Sequence, residues 1–438
     1  MPTTAVSLRR DIDPEDLLVI VLISSHHLTG VVALMSEEFG TKVVAHKRSA
    51  VPWHELEERE QRTAVGEILA KVCDSAGVEA RSVYLSRSEV SITSRPVVGD
   101  VSFEGILQGV TQHEMDWAQL RAQEKPVGTD QELIDIVPVK WECHGAVPSS
   151  QVRKPLTVKL NRAQKSEARR AFPLGEECKG LSCHALQIIA RRGYRAELDQ
   201  LAASLGLSCD GVIAQPAALY RGISARLMAT GWSLVVDCGA RNTSFLLRSG
   251  ERLLRIRSYD FGGDDLTRRL VHELKIDDTL ADSLKREVDI SGEATSPAAG
   301  QQVIWTDVMA ERHALLPQAA TICRAVVVEF FGRRAQELQE DPENPLPRRG
   351  HIHLVGRGSQ IGGLTSVLHE LFGLDVILGT GGRERRDERD VSEELDNLLL
   401  SGLVVSAIEQ RRAAREREGR SLRKQASGLV SWLLRPFE

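Results

Sequence analysis

The stretch best equipped for chemistry is a short hairpin that begins on a carboxylate. Residues 235–250, "VVDCGARNTSFLLRSG", end an apolar run on Asp237, turn through small and polar residues, and leave in a second apolar run. A small-residue turn presents backbone N–H groups to an anion, and Gly239 lets the ligand come close. Asp237 would hold Mg²⁺ through water, while the Thr243 hydroxyl or neighbouring amides such as that of Asn242 reach a terminal phosphate. A plain hairpin with a charged turn fits the same pattern.

Two more glycine-rich turns have the composition of phosphate-binding loops. In "FGGDDLTRRL", Gly262 and Gly263 precede a helix whose N-terminus can face an anion, although Asp264 or Asp265 also suits an ordinary helix cap. "HLVGRGSQIGGL" places glycines and small polar residues between a strand and a helix, where backbone can approach a base and phosphates. Its candidate contacts are Gly356, Gly358 and Ser359. The spacing does not match a dinucleotide-binding fingerprint.

A charged pair lies between these turns. In "LADSLKRE", Asp282 and Lys285 are three residues apart on one helix face. They are candidates for contacts with ribose hydroxyls and base, or for a solvated ion pair of small energetic consequence.

Two similar three-strand blocks carry the first hairpin and its counterpart. The first block is "DLLVIVLISS", "LTGVVALMS" and "TKVVAHKRS"; the second is "WSLVVDCG", "TSFLLRSG" and "ERLLRIRSYDF". Residues 21–24 of the first block align with residues 236–239 of the second. An internal duplication of a βββ unit predicts two related α/β domains.

Changes in composition and in strand and helix patterns along the chain predict six segments. Short strands such as "EVSITS", "IDIVPVKWE" and "PLTVKLN" form an inserted α+β unit, and a charged stretch precedes the last apolar stripe. The predicted segments are a first domain in two parts at 1–88 and 179–230, the inserted unit at 89–178, a second domain at 231–408, a linker at 409–419 and a terminal helix at 420–438.

The final segment has the pattern of an interfacial membrane anchor. Its apolar residues recur along one helical stripe, with a tryptophan beside it. These residues are Leu422, Leu429, Val430, Trp432, Leu433, Leu434 and Phe437. Residues 409–438 contain eight basic and four acidic side chains, so anionic lipid would attract this tail. A helix that docks on the protein's own core or in a partner's groove has the same periodicity.

Composition limits the remaining possibilities. The net charge of -5 does not favour nucleic-acid binding, and the longest strongly apolar run is far short of a membrane-spanning helix. We therefore expect a cytosolic protein. Seven scattered cysteines indicate reduced thiols, and Cys178, Cys183 and His184 make a weak zinc motif because no second ligand cluster accompanies them.

The order of these motifs resembles that of the ATPases that include actin, the DnaK-type chaperones and the sugar kinases. Within that superfamily, "ELIDIVPVKW", "GLSCDGVIAQPAAL", the "LADSLK" helix and the basic, tryptophan-containing tail are most similar to FtsA, the bacterial cell-division actin homologue. The resemblance covers about 17 to 410 and the C-terminus. It implies duplicated actin-like, ribonuclease H-like ATPase domains of the α/β class, with an inserted small α+β subdomain of the FtsA type.

The resemblance also assigns roles at matching positions. It makes the loop at Asp237, Gly239 and Thr243 the second phosphate loop, and Gly262–Gly263 the connecting turn. It assigns Asp282 and Lys285 to ribose and adenine, and Gly356, Gly358 and Ser359 to the adenosine turn. ATP with Mg²⁺ is the implied ligand.

Several positions depart from the family pattern. Leu22 stands where the first phosphate hairpin has an acid, and Ser24 where it has a glycine. Residues 240–242, Ala-Arg-Asn, replace Gly-Gly-Thr, and Ser244 replaces the following acid. Losing one of two carboxylates weakens the positioning of Mg²⁺ and of the attacking water. We expect nucleotide binding with very slow or no hydrolysis, with Arg241 supplying positive charge to the phosphates. A degenerate site that binds nothing is the alternative.

The functional expectation is an FtsA-like peripheral protein on the cytoplasmic face of the bacterial inner membrane. It would self-associate into filaments and tether cytoskeletal partners, such as the tail peptide of a tubulin-like FtsZ, during septum formation. One alternative is a PilM-like scaffold of a type IV pilus or secretion assembly. The other is a sugar or acid kinase, which this chain disfavours because it offers no convincing catalytic base.

Overall fold

Two compact units make up the chain. The computed structural model describes residues 16–36, 40–145, 173–224, 231–292, 307–342, 345–347, 349–379 and 397–415. The described residues of Met1–Ser88, Arg195–Gly222 and Leu399–Glu438 form unit 1. Those of Glu89–Tyr194 and Ile223–Leu398 form unit 2. Each unit therefore joins stretches that are distant in sequence.

Unit 1 is built on a five-stranded sheet. Its strands are β1 Leu17–Ile23, β2 His27–Ser36, β3 Gly40–Ala50, β4 Ser82–Arg87 and β10 Ser208–Val212. They lie in the order β10-β4-β1-β2-β3, in which β1 pairs antiparallel with β2 and parallel with β4. The continuous apolar run "LLVIVLI" of β1 suits a central strand that is buried on both faces.

Four helices accompany this sheet. They are α1 Glu58–Ala76, α3 Tyr194–Ser204, α4 Gln215–Ser224 and α9, residues 397–415. Helix α1 begins with a capping box between Glu57 and Glu60 and ends at Gly77, whose φ of 68° is left-handed.

Helix α9 completes the core of unit 1. Leu400, Leu403 and Val404 pack in one cluster with strand residues of β1, including Leu22, which is only 4% exposed. The predicted second domain ended at 408, and a linker was expected from 409. The structure instead assigns 399 onward to unit 1 and continues the helix to 415, because the apolar face of α9 covers β1.

Unit 2 contains an eight-stranded sheet. Its strands are β5 Thr93–Ser102, β7 Gln131–His144, β9 Gly180–Arg191, β11 Trp232–Cys238, β12 Thr243–Ser249, β13 Arg252–Tyr259, β14 His351–Val355 and β15 Asp375–Leu378. The order is β15-β14-β11-β12-β13-β5-β9-β7. Its helices are α2 Gln112–Gln123, α5 Gly263–Leu274, α6 Asp278–Glu287, α7 Asp307–Gln339 and α8 Leu364–Phe372.

The predicted duplication is visible in the strand order. In unit 1 the first strand lies between its hairpin partner and a parallel strand, giving β10-β4-β1-β2-β3. In unit 2 the same arrangement gives β15-β14-β11-β12-β13, with β11 antiparallel to β12 and parallel to β14. The two apolar strand blocks therefore form the same five-strand motif twice, and the predicted fold class is confirmed.

The inserted α+β unit extends further along the chain than the predicted boundary at 178. Strand β9 pairs over its whole length with β5 and β7, so it belongs with the inserted strands. A small two-stranded sheet of β6 Gln108–Gly109 and β8 Glu177–Cys178 adds to them. Helix α2 packs closely on β5, where a side chain on Gly99 would overlap the backbone of α2. The predicted strand at 155–161 lies outside the described residues.

Among the described residues, one helical segment has the length and composition of a membrane span, Ala314–Gln339 in α7. Four residues spaced four apart along it are buried in the core of unit 2. They are Ala319, Cys323, Val327 and Phe331. That periodicity is typical of a core helix with one face packed on a sheet and its neighbouring helices.

Candidate functional site

The acidic hairpin forms the turn between β11 and β12. Cys238 pairs with Thr243, and the Gly239 N–H donates to the Asn242 carbonyl at 2.9 Å, which closes a tight turn with Ala240 and Arg241 at its tip. Thr243 is fully buried, and its hydroxyl donates to the Phe261 carbonyl at 2.8 Å. That hydroxyl therefore ties the hairpin to the start of α5 in this structure.

The start of α5 is bonded directly to this turn. The Gly263 N–H donates to the Gly239 carbonyl at 3.1 Å, and the Asp264 N–H donates to the Ala240 carbonyl at 2.7 Å. The Gly262 N–H donates to the Asp265 carboxylate at 2.7 Å. These three N–H groups already have acceptors, so an anion would have to displace the hairpin carbonyls or the Asp265 carboxylate to use them.

Glycine is required at 262 by this close approach. A Cβ atom at Gly262 would lie 2.3 Å from the Ala240 carbonyl oxygen, a distance that forces the backbone to shift. The sequence pattern identified the glycine pair correctly as a turn, but the partner of that turn is the hairpin itself.

Lys285 on α6 reaches the same place from the next helix. Its ammonium donates to the Thr267 hydroxyl at 2.8 Å and to the Gly263 carbonyl at 3.3 Å, and it pairs with Asp282 at 2.6 Å. Asp282 also contacts Arg286. The pKa of Asp282 is lowered because bonds to Lys285 and Arg286 outweigh the opposing effect of burial. Lys285 thus joins α5 to α6. Thr267 has no signal in the sequence, because a lone threonine inside a helix forms no recognisable pattern.

The late turn follows β14 and packs on the end of β11. Gly356 has a left-handed φ of 81°, and a Cβ there would lie 2.5 Å from Asp237 Oδ1. A Cβ at Gly358 would lie 2.8 Å from the Cys238 Cβ. The Ser359 hydroxyl donates to the Gly356 carbonyl at 2.6 Å, which fixes the 3₁₀ turn of residues 357–360.

One small cavity marks where the three turns meet. It is lined by Cys238, Gly239, Thr243, Phe261, Gly262, Gly263, Leu266, Val327, Phe331, Gly358, Ile361 and Leu364. Its volume of about 10 Å³ has room for at most one water molecule. Positions more than 100 residues apart in sequence therefore converge, and the space they enclose within unit 2 is filled by the protein.

Asp237 is the acidic residue at this convergence. Its carboxylate lies against Gly356, and burial raises its pKa to about 6. The desolvated carboxylate is costly to ionise and favours either a proton or a cation. The Asp237 position offers a single carboxylate, the turn after β14 contains none, and Leu22 is a core residue of unit 1. These residues do not form a dedicated octahedral Mg²⁺ site.

The late turn has a second support that the sequence pattern did not indicate. The Ile290 N–H donates to the Gly362 carbonyl at 2.8 Å, and a Cβ on Gly363, whose φ is 75°, would overlap Asp289 and Ser291. The Gly-Gly pair at 362–363 was a visible signal of close approach, but only the fold identifies residues 289–291 as its partner.

The weak zinc motif does not assemble. Among the described residues no group of three or more His, Cys, Asp or Glu side chains could hold a metal. Cys178 and Cys183 are fully buried, and His184 contacts Glu142 at 3.2 Å. The predicted membrane residues, from Leu422 to Phe437, lie outside the described residues.

Comparison with known proteins gives a distant match in sequence. The chain is 22% identical over 322 residues to the cell division protein FtsA of Streptococcus pneumoniae serotype 2 (strain D39 / NCTC 7466), which covers 72% of this chain. The match spans 64% of the relative's own length. No family model matches the chain.

Solved structures match over most of the chain. A chain of the PilM-PilN type IV pilus biogenesis complex superimposes with a TM-score of 0.51 and 17% identity, covering 90% of this chain and 98% of that one. The match to the ethanolamine utilization protein EutJ from Carboxydothermus hydrogenoformans covers 91% of this chain and 92% of that one, with a TM-score of 0.41 and 12% identity. The chain is therefore similar in sequence to FtsA, and its duplicated strand order and its match to the PilM-PilN chain show the same actin-like fold.

Proposed function

We propose that this chain is a nucleotide-binding actin homologue that recruits cell-division proteins to the cytoplasmic face of the bacterial inner membrane. The observation that carries the nucleotide part is the convergence of three glycine-dependent turns on the end of β11. Each turn brings backbone, rather than side chain, to one point, and backbone N–H groups are the usual ligands of nucleotide phosphates. Because the N–H groups of residues 262–264 already have acceptors, a phosphate would use other N–H groups of these turns or displace those acceptors.

The membrane part of the proposal comes from the sequence of residues 420–438. Their apolar stripe, basic residues and Trp432 have the composition of an interfacial helix. Helix α9 strengthens the assignment, since its described part, up to 415, is bonded to unit 1. Arg411 donates to the Leu17 carbonyl at 2.8 Å and to Asp210 at 2.9 Å. A tail that starts from a fixed helix can hold a folded unit close to a lipid surface.

ATP is the nucleotide we expect, and hydrolysis is expected to be very slow or absent. Leu22 cannot act as a second carboxylate, and the tip of the acidic hairpin contains Arg241. Partners would be division or assembly proteins, including the tail peptide of a tubulin-like protein, together with further copies of this chain in a filament. The similarity to FtsA supports these partners.

A second candidate is a scaffold in a type IV pilus or secretion assembly. The PilM-PilN match favours it, because that match has a TM-score of 0.51 and spans 98% of that chain. Both candidates require a partner protein. They differ in whether residues 420–438 carry the chain to lipid.

Vesicle flotation with a fluorescent ATP analogue tests both parts of the proposal. Full-length protein and a form lacking 420–438 are mixed with vesicles containing anionic lipid, and protein and nucleotide are measured in every fraction. We expect the full chain to float with bound nucleotide, and the truncated chain to stay at the bottom with its nucleotide still bound.

Two controls sharpen this experiment. Leu433→Glu in the full chain should stop flotation, because a charge on the apolar stripe opposes insertion. Ser431→Glu, which places the same charge on the opposite face of the helix, should not stop it. If the truncated chain floats as well as the full chain, the assignment of residues 420–438 as the membrane anchor is wrong. If tail deletion leaves localisation in cells unchanged, the pilus or secretion scaffold becomes the better description.

A further inference from the structure

Two of the charged side chains around the acidic hairpin are already engaged in contacts within the protein. Lys285 is held by Asp282, Thr267 and the Gly263 carbonyl, and only 14% of its side chain is exposed. Asp265 accepts from the Gly262 N–H and pairs with Arg268 at 2.6 Å. Both residues are therefore committed to holding α5 in place.

Arg241 is a cation of a different kind. Its position is set by the backbone on both sides: the Ala240 carbonyl accepts from Asp264, and the Asn242 carbonyl accepts from Gly239. Its guanidinium is partly exposed and pairs with no carboxylate of the described residues. A fixed hairpin tip thus presents a cation immediately after the strand that ends on Asp237.

Few carboxylates lie in the hairpin and the late turn. Asp237 contributes one carboxylate, and one of its oxygens lies against Gly356 rather than toward open space. Residues 238–243 and 356–360 contain no acidic residue. At nucleotide sites Mg²⁺ is usually held by one or two carboxylates together with the phosphates and water, and here Asp237 is the one carboxylate within residues 237–243 and 356–360.

We propose that Arg241 neutralises the phosphates of the bound nucleotide in place of a divalent cation, so that nucleotide binding does not depend on Mg²⁺. This inference rests on the proposed nucleotide binding. An arginine suits the role because its planar guanidinium donates two parallel hydrogen bonds to a phosphate and stays charged at any physiological pH. It also agrees with weak hydrolysis, since an arginine supplies charge but positions no metal-bound water.

Isothermal titration calorimetry tests this proposal. The full chain is titrated with ADP and with ATP in two buffers, one with excess EDTA and one with roughly 5–10 mM Mg²⁺. We expect dissociation constants within about threefold of each other in the two buffers. Arg241→Ala should weaken binding about tenfold or more in EDTA. Arg241→Lys should retain most of the affinity, and Arg241→Glu should abolish it.

Arg269→Ala provides the matched control. Arg269 is an exposed residue of α5 that pairs with Glu273 at 3.2 Å, so its removal changes the net charge equally without touching the hairpin. Urea unfolding of each variant verifies that the fold is intact.

The outcomes separate this inference from the proposed function. Wild-type binding that is strengthened tenfold or more by Mg²⁺, or an Arg241→Ala variant that binds like wild type in EDTA, would overturn the inference while nucleotide binding stands. Absence of nucleotide binding in both buffers would overturn the proposed function and this inference together.

Discussion

At the scale of single residues, Asp237 makes the sharpest prediction. Burial raises its pKa to about 6, above the 3.8 of an exposed aspartate. Because the folded pKa is raised, the protonated carboxyl stabilises the fold fully below about pH 4, and that stability is lost as pH rises through about 6. Asp237→Asn removes the buried charge. We expect the variant to be about 2 kcal/mol more stable than wild type at pH 7.5, and nearly equal to it at pH 4.

Urea unfolding without nucleotide, at pH 7.5, 6 and 4, measures this difference. Asp375→Asn serves as the control, since Asp375 is an exposed residue of β15 in the same sheet. An Asp237→Asn variant that is less stable than wild type at pH 7.5 would mean that the ionised carboxylate has a favourable partner in the apo protein.

At the scale of secondary-structure elements, the contact between α9 and α4 depends on one missing side chain. A Cβ on Gly402 would lie 1.7 Å from the Ala218 carbonyl oxygen, so the two helices approach with their backbones nearly touching. Arg221, only 4% exposed at its side chain, then pairs with Glu409 at 2.6 Å. Alanine favours helices over glycine by about 1 kcal/mol, yet we expect Gly402→Ala to destabilise unit 1 by about 2–4 kcal/mol, because packing forbids the extra atom.

Hydrogen exchange of peptides from α9 and β1 measures this loss of stability in unit 1, and the protection of β11 should not change. Arg412→Ala, at an exposed position of the same helix, controls for effects on helix formation. If Gly402→Ala increases protection in α9, helix propensity outweighs the contact and the close approach of α9 to α4 is wrong.

At the scale of the whole molecule, the discontinuous units predict a selective effect of truncation. Deleting 397–438 removes four buried apolar residues of α9 from the core cluster of unit 1, whereas the core cluster around β11 and β14 in unit 2 contains no residue of this segment. We expect β1 and β4 to lose their hydrogen-exchange protection while β11 and β14 keep theirs. Deleting only 420–438 should leave both sheets protected.

Exchange measured by mass spectrometry on the three proteins distinguishes these outcomes. Equal loss of protection in the two sheets would mean that the chain unfolds as one cooperative unit. Unchanged protection in β1 after deletion of 397–438 would mean that α9 contributes little to the stability of unit 1.

The repeated strand pattern and the locations of the turns follow from the amino-acid sequence alone. Short apolar runs indicate the strands, and Gly239, Gly262 and Gly356 mark turns because the backbone conformations and close approaches there exclude larger residues. The contacts of those turns follow from the folded structure. The N–H groups at the start of α5 bond to the hairpin, Lys285 is held by Asp282 and Thr267, and β9 and α9 join elements far away in sequence. Local periodicity encodes which residues face a core, whereas the partners across that core depend on long-range packing that no single segment contains.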